Sequence, residues 1–452
     1  MTDRLHRPFL TLLVALLVSG LTVALAHGSG SAPHDAGHAH ERVDSYDGDH
    51  DRDDHDHGHD HGHDDHGHDH GHDDHGHDHG PDDHGPDHGQ LAGVRLLLAS
   101  LDGPEILVIA AGDGHVLGRF TVPGVGRAYQ LPTMQYAAVT HRDANRVSFV
   151  HSGLSAVDHG DHLDLLEGPP YVLKTVNLGP RPTHFFAQGH DIAVYADGDG
   201  SMAWLDARLL GISLDITQIP GAAPDHGSLA VIDGFLVGGG LREGGVGVFD
   251  RSERELARFD GCPGLHGQAT LGMRVAFGCS DGVLLVEVGP GGEGFAAHKL
   301  DDPGDAPAGA RVGMLVSHPG ARHVIGDFGE GLALIDPSAR SLTPVALPAA
   351  PAAMRFTDGG RALLVLTLDG VLHALDPDSG EHRASRQVVA ASQQGQPRPM
   401  LEVYGDYAFV TDPANARVLL VDAEQLEVEG HHHLPFAPGS VAVMAIPGAV
   451  LH

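Results

Sequence analysis

Aromatic and basic residues are scarce in this chain. Its 452 residues include one tryptophan and seven tyrosines, too few for aromatic cages or for stacking around a large cofactor. Lysine and arginine number 27 against 61 aspartates and glutamates, which gives a formal net charge of -34. Nucleic-acid-binding proteins carry basic patches, and an acidic chain is repelled by anionic lipid surfaces. We therefore expect neither nucleic acid nor a membrane surface as a partner.

Catalytic signatures are missing as well. The sequence contains no HExxH, no GxSxG and no phosphate-binding glycine loop that leads into a helix. No residue stands out as a nucleophile paired with a base. The sequence therefore predicts a protein that is not an enzyme.

The first 26 residues have the features of a secretory signal peptide. Arg4 and Arg7 precede an apolar run over residues 9–23, and residues 24–26 (ALA) form a small-x-small cleavage site. The alternative is an uncleaved anchor, but the apolar run is short for a membrane span. We expect an exported protein without membrane insertion after cleavage, and a bacterial periplasm fits best.

Residues 27–90 form a tail rich in histidine and aspartate. This segment holds half of the 38 histidines and almost no apolar residue. Such a composition cannot bury enough surface to offset chain entropy, so we expect disorder. Imidazole and carboxylate together suit borderline divalent metals, above all zinc. Candidate ligands in its densest part are His55, His57, His59, His61, His63, His66, His68, His70 and His72.

From Leu91 onwards, short apolar runs alternate with Gly, Asp and Pro, and none shows helical periodicity. The runs recur in units of roughly 40 residues, each with four strand signals, which is typical of a β-propeller blade. A shared aspartate marks the end of the third strand in five units: Asp206, Asp250, Asp336, Asp376 and Asp422. Seven units open at Pro132, Pro182, Pro224, Gly264, Ala310, Ala352 and Pro397.

Two fragments complete the pattern. Residues 91–124 offer three further strands, and residues 440–446 offer one. Three strands and one strand make an eighth blade that both chain ends share, and such closure removes exposed sheet edges. The sequence therefore predicts an all-β, eight-bladed β-propeller over residues 91–452, with seven blades as the alternative.

Three histidines occupy equivalent positions in successive units. His184, His226 and His266 each lie at the start of a first strand, at spacings of 42 and 40 residues. First strands line the channel of a propeller, so three imidazoles are expected at one channel mouth. Zinc takes four N, S or O ligands, which this cluster can begin to supply. The alternative is that they are loop histidines bonded to backbone carbonyls.

Two further features are predicted on the same face. A long loop, expected after the second strand of its unit, carries His159 and His162, either as further ligands or as part of a solvated polar loop. Cys262 and Cys279 flank the first two strands of the unit of His266. A disulfide is the default for an exported pair, and it would orient the loop of His266. Two metal thiolates are the alternative.

Other signals are weaker. Residues 197–201 begin like a calcium loop, but the twelfth position is Arg208, so a turn is expected. Residues 431–433 (HHH) fall in a late outer strand or loop, where adventitious metal binding is the expectation. Three more histidines fall near first turns on the opposite face and are expected to be solvated: His141, His318 and His323.

An exported chain with a His/Asp-rich tail, a propeller and the sequences CPGLHG and PTHFF resembles the AztD-type periplasmic zinc metallochaperones. The resemblance covers essentially the whole mature chain. It implies a protein that binds Zn(II) and passes it to the solute-binding protein of a zinc ABC importer. The propeller-face histidines of the family correspond to His184, His226 and His266.

The expected mechanism is capture of zinc by the tail and delivery to the channel mouth by a monomeric protein. Because imidazole must be neutral to bind metal, loading should weaken as the pH falls through about 6 to 6.5. Three other functions stay open. They are a zinc buffer or storage protein without a recipient, a propeller enzyme of hydrolase or quinoprotein type, and an interaction propeller with an acidic tail.

Overall fold

The chain folds almost entirely into β-strands. The computed structural model describes residues 91–451, apart from residues 290, 291, 308 and 394. This part of the chain contains no α-helix, and no helix in it is long and apolar enough to cross a membrane. Short 3-10 turns occur at Ala207–Leu209 and Pro413–Asn415. The predicted signal peptide and the tail, with the candidate ligands His55 to His72, lie outside the described residues.

The strands follow one another with short connections. The strands before residue 180 are β1 (Arg95–Ser100), β2 (Glu105–Ala110), β3 (Val116–Thr121), β4 (Arg127–Gln130), β5 (Tyr136–His141), β6 (Arg146–His151), β7 (Leu154–Asp158), β8 (Leu163–Glu167) and β9 (Tyr171–Val176). The next are β10 (Pro182–Gln188), β11 (Asp191–Ala196), β12 (Ser201–Asp206), β13 (Ile216–Ile219), β14 (Gly227–Ile232), β15 (Phe235–Gly240), β16 (Gly245–Phe249), β17 (Glu255–Asp260), β18 (His266–Leu271), β19 (Arg274–Cys279), β20 (Gly282–Val288) and β21 (Phe295–Asp301). The last are β22 (Leu315–Val316), β23 (Val324–Phe328), β24 (Gly331–Asp336), β25 (Ser341–Val345), β26 (Pro351–Phe356), β27 (Leu363–Thr367), β28 (Val371–Leu375), β29 (His382–Gln387), β30 (Leu401–Tyr404), β31 (Tyr407–Asp412), β32 (Arg417–Asp422), β33 (Val428–His433), β34 (Pro438–Met444) and β35 (Ala449–Val450).

Eight four-stranded antiparallel sheets contain most of these strands in the described part of the chain. Six sheets use four consecutive strands each, from β10–β13 to β30–β33. The other two have the orders β4-β5-β6-β9 and β3-β2-β1-β34. The inner strands of neighbouring sheets contact one another, as β14 does with β10 and β18, so they surround the centre. The prediction of an all-β propeller is confirmed.

The two ends of the described chain meet in one sheet. Strand β34 pairs with β1, so that Leu98 faces Val441 and Leu96 faces Val443. All four side chains are buried, and they belong to a cluster that also includes Phe409 of the preceding sheet. Strand β34 therefore completes the sheet of β1 through hydrogen bonds, as the two fragments predicted, and packs against the preceding sheet through apolar side chains.

Apolar side chains fill the space between adjacent sheets. Neighbouring sheets cover both faces of the second strands β11 and β19, in which every residue after the first is buried. One cluster packs Trp204, Leu236 and Phe277, which come from three successive sheets. The channel face where the first strands begin thus rests on a rigid core.

The repeated aspartates shape the turn that follows each third strand. In each of the five, Oδ1 accepts the backbone N–H of the residue two positions later. This side-chain turn fixes the backbone where the chain reverses into the outer strand. The residues are Asp206, Asp250, Asp336, Asp376 and Asp422.

The first complete unit was predicted to begin at Pro132, but its sheet begins one strand earlier in the chain. The inner strand of that sheet is β4, whose four residues RAYQ form no apolar run, and β5 is the second strand. The long loop after β6 therefore follows the third strand. It folds into a hairpin, β7 and β8, which pairs with β35 in a three-stranded sheet.

Candidate metal centre

Three imidazoles converge where three adjacent inner strands begin. One ligand atom from each of His184, His226 and His266 lies within 4.8 Å of the other two. The ring centroids are 4.6 Å apart for His184 and His226, and 5.1 and 5.2 Å for the pairs that involve His266. In the described part of the chain, no other trio of His, Cys, Asp or Glu meets this distance limit.

Local irregularities in the strands direct these side chains. His184 lies in β10 directly after a register shift that bulges Thr183 out of the ladder. His266 opens β18, and a second register shift follows it at Gly267. His226 immediately precedes β14. Bulges bend a strand and re-aim its side chains, which lets the imidazoles turn towards one point.

Gly267 is required for this arrangement. Its φ is +74°, in the left-handed region that favours glycine. A Cβ atom at this position would lie 2.1 Å from the carbonyl oxygen of Gly313. The close approach brings the loop before β22 against His266.

Hydrogen bonds on the outer side orient two of the rings. His226 Nδ1 lies 3.0 Å from Asp197 Oδ2, and His266 Nδ1 lies 2.8 Å from the carbonyl oxygen of Gly313. When Nδ1–H donates to these oxygens, the Nε2 lone pair is left for a metal. The Nε2 atoms of His184 and His226 already lie 2.9 Å apart. The trio thus presents its ligand atoms inwards.

The two oxygens are themselves fixed. Asp197 has a side chain only 8% exposed, and its Oδ2 also accepts a hydrogen bond from Arg142 Nη2 at 3.1 Å. Burial alone would raise the pKa of Asp197, but hydrogen bonds from His226, Thr183 and Arg142 outweigh it and lower the pKa. Asp327 Oδ1 accepts the backbone N–H of Gly313 at 2.7 Å. Both acceptors are therefore held in place.

Burial lowers the pKa of two of the three imidazoles. Burial, and then repulsion from charged forms of His226 and His266, lowers the pKa of His184 to about 3. Burial also lowers the pKa of His266, although its hydrogen bond to Gly313 opposes the shift. Neutral imidazoles are the form that binds metal. These shifts allow His184 and His266 to act as ligands below the pH at which a free imidazole becomes protonated.

The predicted disulfide is present. Cys262 and Cys279 are bonded to each other, and both are fully buried. The alternative of two metal thiolates is excluded, because both sulfur atoms are in the bond. The bond links the loop before β18 to the end of β19, next to His266.

His159 and His162 are placed elsewhere. The hairpin that carries them follows β6, the third strand of its sheet. The three clustered histidines lie where first strands begin. Because alternate strands are antiparallel, these positions lie at opposite edges, so the predicted shared face is wrong. Both imidazoles instead contact Asp164, each at 3.0 Å. Neither is part of the trio.

The expectation of solvated rings is wrong for the three remaining histidines. His318 is half-buried, and its Nε2 lies 3.0 Å from the carbonyl oxygen of Asp358. His141 is fully buried, with Nε2 2.9 Å from Ser148 Oγ and Nδ1 2.9 Å from the carbonyl oxygen of Gly124. His323 is buried near Asp336. Each of the three rings thus has a neighbouring polar group within the protein, which the position near a first turn did not reveal.

Sequence reasoning missed Asp197 and Gly313 as partners of the histidines. Asp197 was assigned only to a turn. The repeat could have indicated Asp197, because the loop between the second and third strands of a unit lies on the face where the first strands begin. Asp197 occupies that loop in the unit preceding His226.

The sequence is similar to that of a known zinc chaperone. No protein-family model matches the chain. Over 358 residues the chain is 29% identical to the zinc chaperone AztD of Citrobacter koseri, which covers 74% of this chain and 84% of that protein. The resemblance to AztD-type zinc chaperones is confirmed.

Solved structures agree with this similarity. The crystal structure of Citrobacter koseri AztD matches with a TM-score of 0.72 and 26% identity, over 79% of this chain and 99% of that one. Its apo form matches with a TM-score of 0.70 and 25% identity, with the same coverage of both chains. Dihydro-heme d1 dehydrogenase NirN shares the fold alone, with a TM-score of 0.53 and 12% identity over 77% of this chain and 74% of that one.

Proposed function

We propose that this protein is a zinc metallochaperone. It binds one Zn(II) ion with His184, His226 and His266 and passes the ion to the solute-binding protein of a zinc ABC importer. The similarity to the zinc chaperone AztD supports zinc as the cargo and a carrier function over an enzymatic one. The observation that carries the proposal is the convergence of three imidazole ligand atoms within 4.8 Å.

The ligand geometry fits zinc. Nitrogen ligands of a tetrahedral zinc ion lie about 2.0–2.1 Å from the metal and therefore about 3.3–3.4 Å from each other. The ligand nitrogens of His184 and His226 lie 2.9 Å apart, and all three ligand nitrogens lie within 4.8 Å of one another. Small side-chain rotations therefore suffice to reach the zinc geometry. Because Asp197 and Gly313 already occupy the outer nitrogens of two rings, little reorientation is needed on binding.

An open coordination position suits transfer. Three protein ligands leave the fourth position of tetrahedral zinc for an exchangeable ligand. The side chain of His226 is 33% exposed, so a ligand from another protein can approach from the channel mouth. Zinc then moves by replacement of one imidazole at a time and is never released as the free ion.

The wider setting is also part of the proposal. The eight sheets are eight blades of one propeller over residues 91–452. The protein is exported to the periplasm after cleavage of residues 1–26 and acts as a monomer. Residues 27–90 add weaker zinc-binding capacity through their histidines.

Replacement of the three ligands tests the binding site. The combined variant His184→Ala, His226→Ala and His266→Ala should lose the tight zinc equivalent in a competition titration and keep weak binding. A control variant with the exposed His115 and His190 replaced by alanine should keep the tight equivalent. An unchanged number of tight sites in the triple variant would refute the assignment.

Transfer kinetics test the function. Loaded protein is mixed with the apo solute-binding protein in the presence of a chelator that captures free zinc quickly. Direct transfer predicts that the recipient fills at a rate that rises with its own concentration and that the chelator does not reduce the yield. Filling that the chelator abolishes would instead indicate a zinc buffer without a dedicated recipient.

A further inference from the structure

A second pair of convergent imidazoles lies on the outer strand β33. His431 and His433 are two residues apart, so they project from the same face of the strand. Their Nε2 atoms lie 3.2 Å apart, and the ring planes are nearly perpendicular, at 89°. Two nitrogen ligands of one zinc ion lie about 3.3 Å apart. We propose that His431 and His433 form a second, bidentate site for a borderline divalent transition-metal ion such as zinc.

The intervening histidine fixes this strand. His432 points to the opposite face, where its Nε2 lies 2.8 Å from the carbonyl oxygen of Ala111 in the neighbouring sheet. A Cβ atom at Gly114 would lie 2.4 Å from His432 Nδ1, so the turn after β2 packs closely on this ring. The two ligand side chains therefore extend from a backbone anchored on its other side, which lowers the entropy lost on chelation.

The nearest positive charge is already paired. Arg417 of β32 is the register partner of His433. Its Nε donates to Asp412 Oδ2 at 2.9 Å, so the guanidinium charge is balanced by a carboxylate.

The site differs in character from the three-histidine centre. His431 and His433 are both exposed, and two imidazoles leave two coordination positions of a tetrahedral ion to water. Imidazole pairs accept zinc, copper and nickel, so the class of ion is borderline divalent metal. With fewer protein ligands, the pair holds the ion more weakly and exchanges it faster. The inference is independent of the proposed transfer function, because no residue is shared.

Chemical labelling of histidines tests the site in the full-length chain. Diethyl pyrocarbonate modifies accessible neutral imidazoles, and peptide mass spectrometry locates the modified positions. With zinc added beyond the tight equivalent, His431 and His433 should both lose reactivity, whereas the exposed His115 should keep it. In His433→Ala, zinc should no longer protect His431, because a single imidazole does not chelate.

Two further outcomes decide whether His431 and His433 form a metal site of their own. The triple variant of His184, His226 and His266 should retain zinc protection of His431 and His433, which separates this site from the proposed carrier site. Equal protection of His431 in wild type and in His433→Ala, or no protection in wild type, would overturn the proposal. Both residues are exposed, so the variant should fold, and an unchanged urea midpoint confirms it.

Discussion

Asp197 orients one ring of the proposed zinc site. Its carboxylate accepts a hydrogen bond from His226 Nδ1 and another from Arg142. A carboxylate behind a metal-bound imidazole fixes the ring orientation and raises the basicity of the ligand nitrogen. In the proposed site, Asp197 would therefore act on the metal through His226 and not by coordination.

Replacement of Asp197 should weaken zinc binding without removing the site. Asp197→Ala should lower the affinity by roughly 10–100-fold in a competition titration, and Asp197→Asn, which retains an acceptor oxygen, should lower it less. Asp199→Asn is the matched control, because Asp199 lies in the same turn and bonds only the backbone N–H of Ser201. Equal effects at Asp197 and Asp199 would contradict the positioning role.

The depressed pKa of His184 predicts how the apo protein responds to acid. A free imidazole has a pKa of about 6.5, and the folded protein lowers that of His184 to about 3. Below about pH 6.5 the unfolded chain takes up a proton at His184 that the folded chain does not, so stability falls as the pH drops towards 3. In urea unfolding with a metal chelator present, wild type should lose more stability between about pH 7.5 and about pH 5 than His184→Gln. Parallel losses would show that another group dominates.

At the scale of the element, the start of each inner strand decides where an imidazole points. The bulge at Thr183 and the left-handed Gly267 interrupt ladders that would otherwise alternate side chains regularly. Without these interruptions His184 and His266 would follow the pleat of their strands. The cluster depends on two small departures from regular β-structure.

Gly267→Ala tests this dependence. The new Cβ would collide with the Gly313 carbonyl and displace the acceptor of His266, so zinc affinity should fall together with stability. Gly272→Ala is the control, because Gly272 also has a positive φ, +60°, but a Cβ there would meet nothing within 4 Å. Both variants carry backbone strain of about 1–3 kcal/mol, and only Gly267→Ala should change zinc affinity in a competition titration.

For the whole molecule, the pairing of β34 with β1 brings strands from distant parts of the described chain into one sheet. Leu98 and Val441 face each other across this pairing and are buried. Each sheet packs on its neighbours through shared apolar clusters, so a loss at one junction is transmitted around the ring. The stability of the fold should therefore respond as one unit.

Leu98→Ala should lower the free energy of unfolding by about 2–5 kcal/mol, because it leaves a cavity in this junction. Trp204, the single tryptophan, is fully buried in a different sheet and reports on unfolding by fluorescence. The urea midpoint measured by Trp204 fluorescence should shift as much as the midpoint measured by circular dichroism. Leu256→Ala, on an exposed outer-strand position, should change the midpoint little. A circular dichroism shift without a Trp204 shift would mean that the sheets unfold separately.

Much of this architecture could be predicted because it depends on local periodicity. The strand pattern, the roughly 40-residue unit and the recurring aspartates are short-range features of the chain. The register of His184, His226 and His266 followed from the same repeat. The unit that begins at β4 was misplaced because RAYQ has no apolar run, and this error moved His159 and His162 to the wrong face.

The sequence by itself determined the class of fold, the sharing of one sheet by two distant segments and the alignment of three histidines, since a repeat encodes equivalent positions. Only the tertiary structure decided what those histidines contact. Asp197 is 29 residues from His226, and Gly313 is 47 residues from His266, and each contact forms across two neighbouring sheets. The pairing of Nε2 atoms on β33 likewise depends on side-chain rotamers that composition does not specify. Spacing identifies which residues share a face, but packing between sheets sets the distances on which metal binding depends.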